Sequence, residues 1–147
     1  MIPFTAEITI ARPLEVVFRF VSEPVNYAKW MKGMTSAEAI SAPPAGAGSK
    51  VRVVGKLGPW KFDGPMEITE YEANRKFGMT ATIAGAMQFQ AVWNFETTGP
   101  DTTHIFESGE ASLLGFWRLL EPLFAGEVKN GELAELKKIK NLLENRA

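Results

Sequence analysis

The stretch Lys76-Phe77-Gly78-Met79-Thr80-Ala81-Thr82-Ile83-Ala84-Gly85-Ala86-Met87-Gln88-Phe89-Gln90-Ala91-Val92-Trp93-Asn94-Phe95-Glu96 decides the fold. On either side of Ala84-Gly85 an apolar residue returns at every second position: Phe77, Met79, Ala81 and Ile83, then Met87, Phe89, Ala91, Trp93 and Phe95. A period of two puts these side chains on one face of a strand, and a short glycine-containing link makes the two strands an antiparallel hairpin. A face this bulky must be covered by another element.

Outward from this hairpin, segments of the same kind lie at residues 36–41, 50–56, 62–71 and 102–111, separated by turn formers such as Pro43-Pro44, Gly58-Pro59 and Gly99-Pro100-Asp101. The links are too short for parallel crossovers, so the strands form an antiparallel meander. Residues 4–10 alternate in the same way and add one more strand. Pro13 then suits the first turn of a helix, Pro24 ends that helix and opens a second short one through Trp30, and Gly33 stops it. After Ser112 the pattern turns helical to about Asn145, with Pro122 predicted to separate a first turn from the long helix. The expected fold class is α+β: a curved antiparallel sheet of six or seven strands around a C-terminal helix, in a single domain spanning residues 1–147.

Composition narrows the chemistry. With 16 basic and 17 acidic residues the net charge is -1, so no field gathers nucleic acid, and no nucleic-acid partner is expected. The absence of cysteine removes thiolate chemistry, and one histidine cannot build an imidazole metal cluster; neither a metal nor a cofactor is expected. The start of the chain lacks the pattern of a secretory signal and no stretch reaches membrane-spanning length, which makes the expected location cytoplasmic, as a monomer or homodimer.

The strand face either fills the core or lines a pocket. On the helix, the stripe Leu119, Leu123, Leu133 and Leu136 is interrupted by Gly126 and Asn130, which would leave space and one polar group opposite the sheet. His104 shares the side of Trp93 and Phe95 if Phe95 pairs with His104, and faces water if the register moves by one. Glu107 and Glu110 have opposite parity, so one of them points inward. The acidic residues Glu127, Glu132, Glu135 and Glu144 balance the helix lysines as a solvated face.

Several motifs carry a resemblance. Ile8-Thr9-Ile10-Ala11-Arg12-Pro13-Leu14-Glu15-Val16-Val17-Phe18 resembles the first strand and helix of the polyketide cyclase and lipid-transport superfamily, also called START-like, Bet v 1-like or SRPBCC. Val21-Ser22-Glu23-Pro24-Val25-Asn26-Tyr27-Ala28-Lys29-Trp30, Gly48-Ser49-Lys50-Val51-Arg52 and Ile68-Thr69-Glu70-Tyr71-Glu72-Ala73-Asn74-Arg75-Lys76-Phe77 are similar to its second helix, a glycine-initiated strand and the central hairpin. The family usually has proline where Ala73 or Asn74 stands. The resemblance implies a helix-grip fold with a cavity for a small hydrophobic or amphipathic ligand such as a lipid, quinone or aromatic polyketide.

The expected cavity wall comprises Trp30, Met66, Phe77, Met79, Phe89 and Trp93 from the first helices and the sheet. Phe95, Phe106, Phe116, Trp117 and Phe124 complete it, with Asn130 or His104 orienting the ligand. Binding or transport is the first functional reading. The alternative is a cyclase or dehydratase that moves protons through His104 and an inward carboxylate, Glu107 or Glu110.

Overall fold

Alternation becomes strand wherever the sequence carries it. The computed structural model describes residues 1–145. Its strands are β1 (Ile2–Ile10), β2 (Met34–Ala39), β3 (Lys50–Leu57), β4 (Trp60–Glu72), β5 (Lys76–Ile83), β6 (Met87–Gly99) and β7 (Thr102–Leu113). All seven join one antiparallel sheet in the order β1-β7-β6-β5-β4-β3-β2. Consecutive strands are neighbours except β1, which pairs with β7 at the far edge.

The crossing between the two edges is made by α1 (Leu14–Ser22), a 3-10 turn (Pro24–Asn26) and α2 (Tyr27–Trp30). Pro13, in extended conformation, leads into α1, and Glu23 before Pro24 is extended as the residue before proline must be, so the helix stops there. Val17, Phe18, Phe20 and Val21 of α1 are buried against the sheet. After α2, Gly33 turns at φ 79° with the space of its missing side chain occupied 2.2 Å away by the Lys56 carbonyl oxygen, so only glycine fits this corner.

At the other end a 3-10 segment (Gly115–Leu120) precedes α3 (Glu121–Glu144), which has Pro122 in its first turn. The long helix lies along β1 and β7 and closes the concave face of the sheet. Its buried positions are Glu132, Leu136, Ile139 and Leu143, one stripe at helical spacing.

This stripe corrects the one expected from sequence. Leu119 and Leu123 are 85% and 75% exposed, Leu133 is 38% exposed, and of the four leucines Leu136 alone is buried. Leu119 belongs to the 3-10 segment, whose tighter pitch breaks phase with α3, and Leu123 and Leu133 lie off the line set by Leu136, Ile139 and Leu143. The interruption in the true stripe is therefore Glu132, a residue assigned from sequence to the solvated face.

Side chains inside the sheet fall into two apolar groups. The larger joins Val17, Phe18, Tyr27, Trp30, Phe77, Trp93, Phe95 and Leu136; the smaller joins Ile2, Trp60, Met87, Ala111 and Leu113 at the end nearer the start of α3. Between them the filling is incomplete.

Candidate functional site

The gap between the two apolar groups is a cavity of about 720 Å³. The sheet contributes Val53, Met66, Met79, Phe89 and Trp93, and α3 contributes Phe124, Val128, Gly131 and Glu132. Exposed lining residues mark where it opens: Gly58 and Pro59 in the β3–β4 hairpin, Ala84 and Gly85 in the β5–β6 turn, and Glu127 on α3. Ala84 and Gly85 both have positive φ, at 53° and 64°, the backbone of a tight hairpin turn, which keeps this rim short.

Trp93 anchors the inner wall. Its ring stacks on Phe77 at 5.6 Å and meets the edge of Trp30, also at 5.6 Å. Near the rim, Trp60 packs edge-on against Trp117 at 5.2 Å and lies 5.8 Å from Phe124. Trp60 and Trp93 both line the cavity, and the indole N–H of each is buried without an acceptor among the described residues.

The inner end is polar. Glu107 of β7 pairs across the sheet with Trp93 of β6 and Ala6 of β1, and it is fully buried. Glu132 and Glu135, three residues apart on α3, come down opposite it. In the ionised state neither Glu107 oxygen, nor Oε2 of Glu132, finds a hydrogen-bond donor among the described residues, and the Trp93 indole and the two carboxyls are close enough to affect one another's ionisation. Glu135 is anchored differently: its Oε2 accepts the Lys32 backbone N–H at 2.6 Å, tying α3 to the corner after α2.

Removal from water raises all three carboxyls. Burial pushes Glu107 up to about 8, with the nearby Glu135 charge adding to the rise. Glu132 is pushed up to about 9, by burial first and then by repulsion from Glu107. Glu135 is raised well above the usual carboxylate range by burial and by Glu132. At neutral pH Glu107 and Glu132 therefore hold protons, Glu132 on the cavity wall and Glu107 just behind it. Among the described residues no group of three or more His, Asp or Glu side chains is arranged to hold a metal ion.

A family model described as polyketide cyclase / dehydrase and lipid transport matches residues 1–139. The chain belongs to the polyketide cyclase/dehydrase and lipid transport family. Solved structures of the same fold include a conserved protein from Geobacillus kaustophilus at 15% identity and TM-score 0.76, covering 97% of this chain and 95% of that one. A START superfamily protein from Mycobacterium smegmatis has 14% identity and TM-score 0.74, covering 96% of this chain and 98% of that one. The Zhui aromatase/cyclase from a Streptomyces species has 13% identity and TM-score 0.76, covering 98% and 94%. No curated protein matches the chain. Among the described residues no helix is long and apolar enough to cross a membrane.

Against this polyketide cyclase/dehydrase and lipid transport fold, the residues singled out from sequence separate into three sets. Met66, Met79, Phe89, Trp93 and Phe124 line the cavity. Trp30, Phe77 and Phe95 stand behind its wall in the larger apolar group, and Trp117 backs Trp60 at the rim. Phe106 and Phe116 are 40% and 69% exposed, and Asn130 is exposed on α3.

His104 pairs with Glu96 rather than Phe95, so it sits on the outer face. There Nδ1 lies 3.0 Å from the Thr9 hydroxyl and Nε2 lies 3.3 Å from Glu7. Glu110 shares that outer face and accepts a 3.1 Å hydrogen bond from the Gln90 side chain. Glu107 is the inward carboxylate. The sequence reading missed Glu132 and Glu135 as site residues. The signal was present: counting back from Leu143, Ile139 and Leu136 at helical spacing lands on Glu132.

Proposed function

We propose that the chain binds a small apolar or amphipathic molecule inside the sheet, as a carrier or binding protein. The observation that supports this most directly is the space of about 720 Å³ bounded by aromatic and methionine side chains and open at one rim. At ~25 cal/mol per Å², a ligand that hides about 300 Å² of apolar surface gains about 7 kcal/mol before the costs of association. Native mass spectrometry of protein purified without added ligand, followed by displacement of a fluorescent apolar probe, tests it. A bound mass lost on denaturation and saturable probe uptake are expected. Absence of both, across lipids, quinones and aromatic compounds, refutes the reading.

The proton-bearing pair Glu107 and Glu132 supports a second reading, an acid–base enzyme such as a cyclase or dehydratase in the same cavity. Its chemistry would be general acid catalysis, because both groups carry protons at neutral pH. The measurement is turnover of a cyclising poly-ketone analogue. Loss of turnover in Glu132→Gln with an intact fold is expected of an enzyme, and undiminished turnover in that variant removes the reading.

A further inference from the structure

We infer that the molecule taken up carries a protonated amine at one end of its apolar body, and that this ammonium group seats against Glu132 with Glu107 immediately behind. The inference deepens the proposed function and rests on it.

Glu132 is 8% exposed, lines the cavity and, once ionised, leaves Oε2 without a donor among the described residues. Glu107 stands just off the cavity with both oxygens unpartnered, and Glu135 adds a third carboxyl from the same helix. This pole therefore has more acceptors than donors. From β6 it is faced by the Trp93 indole, which is buried to 1% exposure and has no hydrogen-bond acceptor among the described residues. From the corner after α2 it is faced by Lys32, whose side chain is exposed and whose charge influences Glu132 and Glu135 less than the carboxyls influence each other.

Unpaired buried acceptors are costly, and the complement they call for is a donor. A carboxylate or phosphate headgroup would bring further negative charge and more acceptors. A hydroxyl offers one proton and no charge. An ammonium group offers three N–H donors and the charge that three crowded carboxyls lack, and its hydrogen bonds are of the strong, charge-assisted kind. The apolar walls of Met66, Met79 and Phe89 would hold the remainder of the molecule.

Since the pair holds protons at neutral pH, seating an ammonium displaces one. Affinity for an amine must then rise with pH up to the range in which the pair ionises, while affinity for its alcohol isostere stays level. Calorimetric titration with naphthylmethylamine and naphthylmethanol, of matched size and shape, reads this directly. In the intact protein the amine is expected to bind about tenfold more tightly than the alcohol near pH 7.5, and that ratio to shrink about tenfold one pH unit lower. In Glu132→Gln the ratio falls to about one and loses its pH dependence, whereas Glu110→Gln, on the outer face, keeps both. Equal affinity for the two compounds, or an amine preference indifferent to pH, overturns the inference and leaves the cavity reading standing. Failure of both compounds to bind overturns the two together.

Discussion

Replacing Glu107 by glutamine should make the protein relatively more stable as pH rises. The residue is fully buried, and burial lifts its carboxyl from an ordinary 4.5 to about 8. Between those values the folded chain keeps a proton that the unfolded chain has released. Unfolding therefore releases a proton, and stability falls with rising pH across this window, levelling off above the folded value. Each pH unit costs about 1.4 kcal/mol for one proton. From about pH 5 to about pH 8 the ceiling is ~4 kcal/mol, and coupling to Glu132 brings the expected effect to about 2–3 kcal/mol.

Glutamine has the same shape and cannot ionise. Near pH 5 the two proteins should differ little, because Glu107 is already neutral. Near pH 8 Glu107→Gln should be the more stable by about 2–3 kcal/mol, after allowance for Glu132, which still titrates in the variant. Urea unfolding at four pH values, with the slope of stability against pH compared between the two proteins, makes the measurement. Parallel curves would refute the reasoning, since they would mean that Glu107 holds no extra proton in the folded state.

Gly109→Ala should cost about 3 kcal/mol in urea unfolding, because a Cβ there would lie 2.2 Å from the Gln90 carbonyl oxygen and 2.8 Å from the Phe4 ring. Val128→Trp, which projects a larger ring from α3 into the cavity, should weaken uptake of an apolar fluorescent probe at least about tenfold while the far-ultraviolet circular dichroism is unchanged. His104→Ala should alter stability by no more than about 1 kcal/mol and leave probe affinity unaltered, since its partners Thr9 and Glu7 are on the outer face.

The fold was legible because strand alternation is local. The segment expected at 87–96 is β6, Met87–Gly99, and that at 102–111 is β7, Thr102–Leu113. Register was not local. An irregularity between Thr97 and Gly99 sets Glu96, not Phe95, opposite His104, and one residue of register reverses the face of every side chain that follows. The imidazole that could have joined the cavity is thereby sent outward. Helix phase failed for a related reason: Leu119, ahead of Pro122, was read on the same spiral as the leucines behind it, although its segment winds as a 3-10 helix, and Leu123 and Leu133 lie off the line of Leu136, Ile139 and Leu143.

The carboxyl pole was harder still to read. Glu107 and Glu132 are 25 residues apart in the sequence and meet only because β7 and α3 face each other across the core. Nothing in composition distinguishes them from the exposed glutamates of the same elements. The usable clue was positional, a charged residue one turn before Leu136 on a line of aliphatic side chains, and its weight depended on choosing Leu136, Ile139 and Leu143 to define that line.

The burial of α3 is confined to its later half, from Glu132 to Leu143, while the turns from Phe124 to Gly131 roof the cavity. One helix thus combines a footing and an overhang. The amide hydrogens of residues 123–131 should trade with deuterium well ahead of those of residues 136–143, because these early turns are only partly buried. A guest filling the hollow beneath them would slow that exchange selectively, so the helix itself would report occupancy.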